Sequence, residues 1–405
     1  MDIAGGAKRI YLDNAATSYP KPAKVWDSMA CYMNDIGASP GRGGYRSSLE
    51  AGRLVFQARE AAVQLFHASG AEQVVFTPNV TYALNFAIHG LLRRGDHVVT
   101  TSMEHNSVMR PLRSAEEGMG AEVTVVKCDA QGRLDPPDMR RALRPNTRMI
   151  VMTHASNVCG TVMPIAEVAG IAREAGVFMV VDTAQTAGVM DIDVGALAVD
   201  VLAFTGHKGL YGPPGTGGMV LSQRAATEMK ALVQGGTGSR SDEAFQPGFL
   251  PDKFEPGTPN TIGIAGLGAG IGFVLENGAS HIGMHELQLA DEFAQMARDI
   301  PGIRVFGTWE TGSGADVCDR HRVATVSVGF ASAQADPARA AFLLDRDFGI
   351  MVRSGLHCAP MAHRTLGTFP AGTLRFSFGW FNTTSDARDA AAALAQIAGG
   401  YQLQK

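Results

Sequence analysis

The chain has 405 residues, 45% of them hydrophobic and 18% charged, with a formal net charge of −4. That length exceeds one compact core and suits two or three domains. A near-neutral balance gives no broad electrostatic case for nucleic acid or an anionic membrane as partner.

The opening residues, Met1–Lys8, lack the apolar core of a secretory signal. The most apolar stretch, Ile262–Leu275, is glycine-rich and too short to span a bilayer. The five cysteines (Cys31, Cys128, Cys159, Cys318, Cys358) are odd in number and widely spaced, and no Cys-x-x-Cys occurs. Neither a zinc site nor a disulfide framework is therefore expected, and a reducing cytoplasm is the natural setting.

From about residue 70 to 225, short apolar runs alternate with helix-length segments. The strand candidates are Gln73–Thr77, His97–Thr101, Glu122–Lys127, Met149–Thr153, Val177–Val181, Val201–Phe204 and Gly218–Leu221. Helices fit between them at Thr81–Leu92, Ser107–Glu117, Asp135–Leu143 and Ile165–Ala175. This alternation predicts an α/β unit with a doubly wound, mostly parallel sheet, covered on both faces. Residues 235–260 are rich in turn formers and read as loop. A helix follows at about 261–277. Within it, Gly266-Leu267-Gly268-Ala269-Gly270 has dinucleotide-loop spacing but no strand before it and Ile271 in the third glycine's place, so close helix packing accounts for it better. The remainder reads as a smaller α+β domain, with strands at Ala324–Phe330 and Thr373–Phe378 and helices at Pro337–Asp347 and Ser385–Ala398. The expected division is an N-terminal arm (1–24), a large domain (25–258) and a small C-terminal domain (259–405).

Two adjacent strand candidates carry the chemistry. One ends in Val181-Asp182-Thr183-Ala184-Gln185, the next in Phe204-Thr205-Gly206-His207-Lys208. At the carboxyl edge of a parallel sheet, where ligands bind, these loops offer a carboxylate and a lysine. Pyridoxal 5'-phosphate (PLP) chemistry needs that pair: the lysine links to the cofactor as a Schiff base, and the carboxylate keeps the pyridine nitrogen protonated so that the ring accepts electrons. Asp182 alone reads as a helix cap and Lys208 alone as a surface lysine; together they point to a site.

With the flanking Thr-Gly-His-Lys and Tyr-Gly-Pro pattern, the chain resembles the class V aminotransferase family, and within it the cysteine desulfurases and selenocysteine lyases. The likeness runs from Tyr11-Leu12-Asp13-Asn14-Ala15-Ala16 to Phe381-Asn382-Thr383. It implies PLP fold type I and roles for particular residues. Lys208 would bind PLP and move the Cα proton, with Asp182 on the pyridinium nitrogen and Gln185 on the ring's phenolic oxygen. Thr81, Thr205 and His207 match phosphate-contacting positions; Val80 stands where the family has a threonine, leaving that contact to Asn79 or to backbone. His105 would stack over the ring and help move protons. Asn157 would lie near the ring oxygen and the substrate carboxylate, which Arg375 would clamp. Arg42-Gly43 and Gly257-Thr258-Pro259-Asn260 resemble segments near the subunit interface, the second reaching a neighbouring subunit's phosphate site, so a homodimer is implied.

The resemblance also selects a reaction. Arg353-Ser354-Gly355-Leu356-His357-Cys358-Ala359 is similar to the loop whose cysteine takes sulfur from substrate, with His357 and Arg353 placed to steady its thiolate. L-Cysteine, or L-selenocysteine, is the implied substrate and a sulfur-acceptor protein the implied partner. A selenocysteine lyase, an aminotransferase on the same fold, or a non-catalytic sulfur-relay scaffold are the rivals. Two departures stand out: Leu356 replaces the first of two family histidines, and Gly209 is an extra residue after Lys208.

Overall fold

Seven apolar runs between residues 74 and 221 hydrogen-bond into one sheet in a computed structural model that describes residues 9–41, 43–309, 321–331 and 335–402. In chain order the elements are β1 (Ile10–Tyr11), α1 (Ala23–Cys31), α2 (Arg46–Phe66), β2 (Val74–Thr77), α3 (Val80–Leu91), β3 (His97–Thr101), α4 (Asn106–Met119), β4 (Glu122–Val126), α5 (Pro136–Ala142) and β5 (Thr147–Thr153). Then come α6 (Ile165–Ala175), β6 (Phe178–Asp182), α7 (Val194–Leu197), β7 (Val201–Thr205), β8 (Gly217–Leu221), α8 (Gln223–Glu228), α9 (Thr261–Asn277) and α10 (Ala279–Arg298). The chain ends with β9 (Ile303–Phe306), β10 (Thr325–Phe330), α11 (Pro337–Phe348), β11 (Ile350–Met351), β12 (Arg353–Gly355), α12 (Pro360–Thr365), β13 (Thr373–Ser377) and α13 (Thr384–Gln402). Arg42 and Cys318 lie outside the described residues.

The large sheet has the order β2-β8-β7-β6-β5-β3-β4. β4, β3, β5, β6 and β7 are mutually parallel, and β8 pairs antiparallel with both β7 and β2. Successive side chains point to opposite faces, so each apolar run feeds two cores. Val98, Met149, Val151, Val180 and Ala203 pack with α3 and α4 on one face. Val99, Ile150, Met152, Val181 and Phe204 pack with α2, α6 and α9 on the other. This burial on both faces is why the strands read as unbroken apolar runs.

Two long helices, α2 and α10, lie outside the sequence-based expectation. The buried face of α2 is built largely from small residues, among them Ser48, Ala51, Ala58 and Ala62, which give little hydrophobic signal but let helices approach closely. Gly268 of α9 meets it there, where a Cβ would sit 3.0 Å from that of Ala58, while one on Gly270 would lie 2.3 Å from the carbonyl oxygen of Leu210, in the segment after β7. The glycine run is a packing surface.

The sequence reading ended the large unit at residue 258, but packing places α9 with the large sheet: Leu267, Ile271 and Val274 share the core beneath it. The change of core falls along α10, where Ala279 and Ile282 join the large core and Leu289, Phe293 and Ala297 the small one. The small unit is an antiparallel sheet, β12-β13-β10-β9, backed by α10, α11 and α13. The N-terminal segment joins it: β1 pairs with β11, and Asp13 bridges to Ser377. No single described helix is long and apolar enough to cross a membrane.

Candidate active site

The carboxyl ends of β2, β5, β6 and β7 open into a cleft of about 310 Å³, closed on the far side by the small unit's Arg353, His357, Cys358 and Arg375. Of the residues expected to act, Lys208, Asp182, Gln185, Thr81, Val80, Thr205, His207, His105, Asn157, Arg375 and Cys358 all line it. Thr258 does not. It lies in a separate groove of about 340 Å³ with Phe76, Tyr82 and Phe254.

Asp182 ends β6, 3% exposed, with Oδ1 accepting from the Ala184 N–H at 2.9 Å. Burial pushes its carboxyl above the usual range; the Ala184 N–H and the charge of Lys208 oppose this. One strand over, Lys208 follows β7. Burial lowers its amine to about 8, the nearby Asp182 carboxylate pulling the other way and Arg375 adding to the fall. A lysine so shifted has a substantial neutral fraction near neutral pH, as a nucleophile or proton acceptor requires.

The turn carrying Lys208 is held through its carbonyls. The His207 carbonyl accepts from Ser18 N, Thr17 Oγ1 and Lys21 Nζ at 3.0, 3.0 and 2.8 Å. That of Lys208 accepts from Ser18 Oγ at 2.8 Å and Tyr211 N at 2.9 Å. The extra Gly209 has a steric reason, since a Cβ there would lie 2.5 Å from the Ala187 carbonyl oxygen.

At the β2–α3 turn, Asn79 Oδ1 accepts from Tyr82 N at 3.2 Å and so caps α3. The Thr81 hydroxyl lies 2.8 Å from Ser107 Oγ, which lies 2.8 Å from His105 Nδ1. Val80 supplies backbone only, as a first-turn residue whose N–H has no partner within the helix. His105 caps α4, with Nδ1 accepting from Ser107 N at 3.0 Å. That bond places the ring proton on Nε2. Burial, reinforced by Lys208, lowers the imidazole to about 4, so the ring is neutral. Burial does the same to His207, at about 4.

Arg375 on β13 is 2% exposed. Its Nη2 donates to Asp13 Oδ1 at 2.8 Å and its Nη1 to the Asn157 carbonyl at 2.9 Å, while Nε is buried with no partner among the described residues. Asn157 Nδ2 donates to the His357 carbonyl at 2.7 Å, and Gln185 Nε2 to that of Ala15 at 3.2 Å. Cys358 is exposed at the rim.

The expectation for His357 needs correction. Its ring turns inward, 6% exposed, with Nδ1 3.3 Å from His363 Nε2 and Nε2 3.4 Å from the Arg353 carbonyl. Burial drives it down to about 2, so it is neutral and brings no cationic charge to the thiolate. Sequence reasoning also passed over Asp13, Ser107 and Lys21. Asp13 was visible within the Tyr11–Ala16 motif; the other two carried no signal beyond position next to a named residue.

The cleft fits PLP. Thr205 Oγ1 is buried with no partner among the described residues, a donor at the place where a phosphate oxygen would accept. The N-terminus of α3 adds backbone N–H groups and a favourable dipole, and Asp182 is a buried carboxylate facing a lysine. Among the described residues no group of three or more metal-ligating side chains is present.

A fold type I architecture with a lysine and a buried carboxylate on adjacent strand ends defines a class of enzyme. The sequence profile of the class-V aminotransferases matches residues 10–389, and the chain belongs to that family. Among its relatives, a probable cysteine desulfurase of Methanothermobacter thermautotrophicus is 36% identical, with 96% of this chain and 95% of that one covered. A cysteine desulfurase of Haloferax volcanii is 32% identical over 95% and 90% of the two chains. Among solved structures, the apo cysteine desulfurase of Thermococcus onnurineus superposes with a TM-score of 0.87 at 31% identity, covering 97% of this chain and 95% of that one. The Escherichia coli cysteine desulfurase CsdA, in an S-sulfonic acid form, gives 0.84 at 27% identity, with 96% and 95% covered.

Proposed function

We propose that the protein is a PLP-dependent cysteine desulfurase that converts L-cysteine to L-alanine and holds the sulfur as a persulfide on Cys358. One observation carries this reading: an exposed cysteine on the small unit lines the same cleft as the lysine and buried carboxylate of the large sheet. A transaminase has no use for a thiol at that place.

PLP, when bound, would supply the electron sink for the carbanion left at Cα. Asp182 would keep a negative charge at the pyridine nitrogen. Thr205, His207, Thr81 and the Val80 backbone would hold the phosphate, and Gln185 and Asn157 would serve the ring oxygen. Arg375, fixed by Asp13 and the Asn157 carbonyl, presents its remaining N–H groups to the substrate carboxylate. Lys208 takes the Cα proton, with the neutral His105 beside it. The Cys358 thiolate attacks the substrate sulfur: an S–S bond forms, the C–S bond breaks, and its electron pair stays with Cβ, which is protonated, while Lys208 returns the proton to Cα to complete alanine. The balance is cysteine plus enzyme thiol giving alanine plus enzyme persulfide.

Thr258, remote from the cleft of its own chain, has a role here only if a second copy brings it to the partner's phosphate, so a homodimer is part of the reading. A cytoplasmic, reducing setting is also part of it, supported by four unpaired cysteines among the described residues. The test is to mix purified protein with L-cysteine and measure alanine and sulfide with and without reductant. Alanine forming in step with sulfide, and sulfide release depending on reductant, is the expected result. Consumption of cysteine only in the presence of an oxo-acid would point to transamination instead.

A further inference from the structure

Two consecutive non-glycine residues, His357 and Cys358, adopt left-handed backbone conformations, with φ of +48° and +57°. Side chains disfavour this region, so two in succession persist only where the surroundings hold them. The turn is closed by the Ala359 N–H donating to the Leu356 carbonyl at 2.8 Å, and the Cys358 and His357 carbonyls accept from Asn106 N and Asn157 Nδ2. The His357 side chain adds a further hold, its ring lying 5.4 Å from that of His363 and 28° from parallel. His363 is fully buried on α12.

Hydrogen-bonding capacity sets the order of protons along this chain. The Arg353 carbonyl, 3.4 Å from His357 Nε2, only accepts, so Nε2 carries the proton and Nδ1 is a bare acceptor. His363 Nε2, 3.3 Å from that Nδ1, must then donate. His363 Nδ1 is left to accept from Thr368 Oγ1 at 2.7 Å. Protonating His357 at Nδ1 would set that N–H against the one on His363 Nε2, and burial keeps both rings neutral, His357 at about 2 and His363 at about 4. The far end is rooted in the large unit: α12 carries Thr365, whose Oγ1 donates to Ser102 Oγ at 2.9 Å. Leu356 stands where the family has the first of two histidines, and here His357 finds its ring partner six residues further on instead.

We infer that His363 is a positioning residue for sulfur transfer, acting through His357 to hold the Cys358 turn in its left-handed form at the cleft rim. The inference rests on the reading that Cys358 carries the sulfur. His363 is not among the residues that line the cleft.

The test compares holoenzyme carrying His363→Leu, which keeps bulk but loses the donor, with His363→Gln, which keeps an N–H for His357. Persulfide formation on Cys358 is followed by mass spectrometry in a single turnover. His363→Leu should slow it about tenfold or more, the scale of a misplaced reacting atom. The Michaelis constant for cysteine and the visible spectrum of the bound cofactor should stay unchanged, because Lys208, Asp182 and Arg375 are untouched. His363→Gln should recover most of the rate. A wild-type rate in His363→Leu overturns the inference, as does a His363→Gln variant as slow as the leucine one. If His363→Leu fails to fold, Thr368→Val, which strips the donor from His363 Nδ1, takes its place: slowed persulfide formation supports the inference and a wild-type rate overturns it. Absence of any persulfide on Cys358 in the wild type overturns the parent reading as well, whereas wild-type persulfide with indifferent variants removes the positioning role alone.

Discussion

The two loops that face each other across the cleft are built on opposite principles. The Lys208 turn is clamped. Its carbonyls accept from Thr17, Ser18, Lys21 and Tyr211, and Gly188 and Gly209 bring backbone against backbone, where a Cβ on Gly188 would fall 2.1 Å from the Gly209 carbonyl oxygen. The Cys358 turn has fewer ties to the rest of the molecule: besides the Ala359 N–H that closes it on the Leu356 carbonyl at 2.8 Å, the Cys358 carbonyl accepts from Asn106 N at 2.8 Å, that of His357 from Asn157, and His357 pairs with His363. Its thiol is exposed and its backbone strained. A group that moves a proton at one fixed atom gains from rigidity, whereas a sulfur carrier must meet substrate and then an acceptor arriving from solvent. On this contrast, damage to the clamped side should remove the cofactor or its electronics, and damage to the exposed side should spare both.

The largest effect is expected at the centre of the clamped side. Lys208→Ala should lose the covalent link to PLP, seen as loss of its visible absorbance and of reducibility by borohydride, and turnover should fall to background. Retained activity with PLP reduced onto another lysine would break the assignment. Cys358→Ser is the counterpart on the exposed side. It should keep the cofactor spectrum and its change on adding cysteine, yet release little or no sulfur. A wild-type rate of alanine formation, or an added sulfur found on Cys31, Cys128, Cys159 or Cys318, would remove the contrast altogether.

The same division governed what the sequence could reveal. The parallel core was legible because β3, β6 and β7 are buried on both faces and appear as plain apolar runs. Asp182 and Lys208 were legible because strand ends in such a sheet converge on one edge. The helices α2 and α10 were not: the packing face of α2 is rich in alanine and serine, and α10 changes core partway along its length. Local identity around Cys358 marked the loop but not where His357 points, because its partner His363 and their shared burial are tertiary facts. The clamp of Ser18 and Lys21 on the Lys208 turn joins residues 186 or more apart, a pairing no local pattern encodes.

Asp182→Ala should come next in size. Removing the charge opposite the pyridine nitrogen in a water-poor site should slow Cα-proton loss by about 10²–10³-fold, the scale seen when a preorganised electrostatic partner is lost. Asp182→Glu should do less harm. Near-normal proton exchange at Cα in the alanine variant, measured in deuterated water, would show that the buried carboxylate does not govern the ring. Arg375→Lys keeps a cation but loses the planar fork, and should also loosen Asp13 and the Asn157 carbonyl. A loss of about 10–100-fold in kcat/KM, mainly through KM, matches one or two charged hydrogen bonds. Unchanged cysteine kinetics in Arg375→Ala would place the carboxylate anchor elsewhere.

The smallest predicted effect is a shift along the pH axis, and it tests the clamped side without turnover. In cofactor-free protein Lys208 must be neutral to attack the aldehyde of PLP. Burial disfavours its ammonium and brings the amine to about 8 from an ordinary value of 10.5. The rate of covalent PLP linkage, followed by visible absorbance, should therefore rise with pH and level off above about 8, where an ordinary lysine would still be gaining. The Asp182 carboxylate acts in the opposite sense, favouring the charged amine. Neutralising it in Asp182→Asn should move the bend to lower pH, because the ammonium loses its nearby counter-charge while its burial is unchanged. A bend that stays in place in Asp182→Asn would mean that the two strand ends are electrostatically independent. A bend near 10.5 in the wild type would mean that the lysine is wetter than its setting beneath the Ser18–Lys21 strap implies.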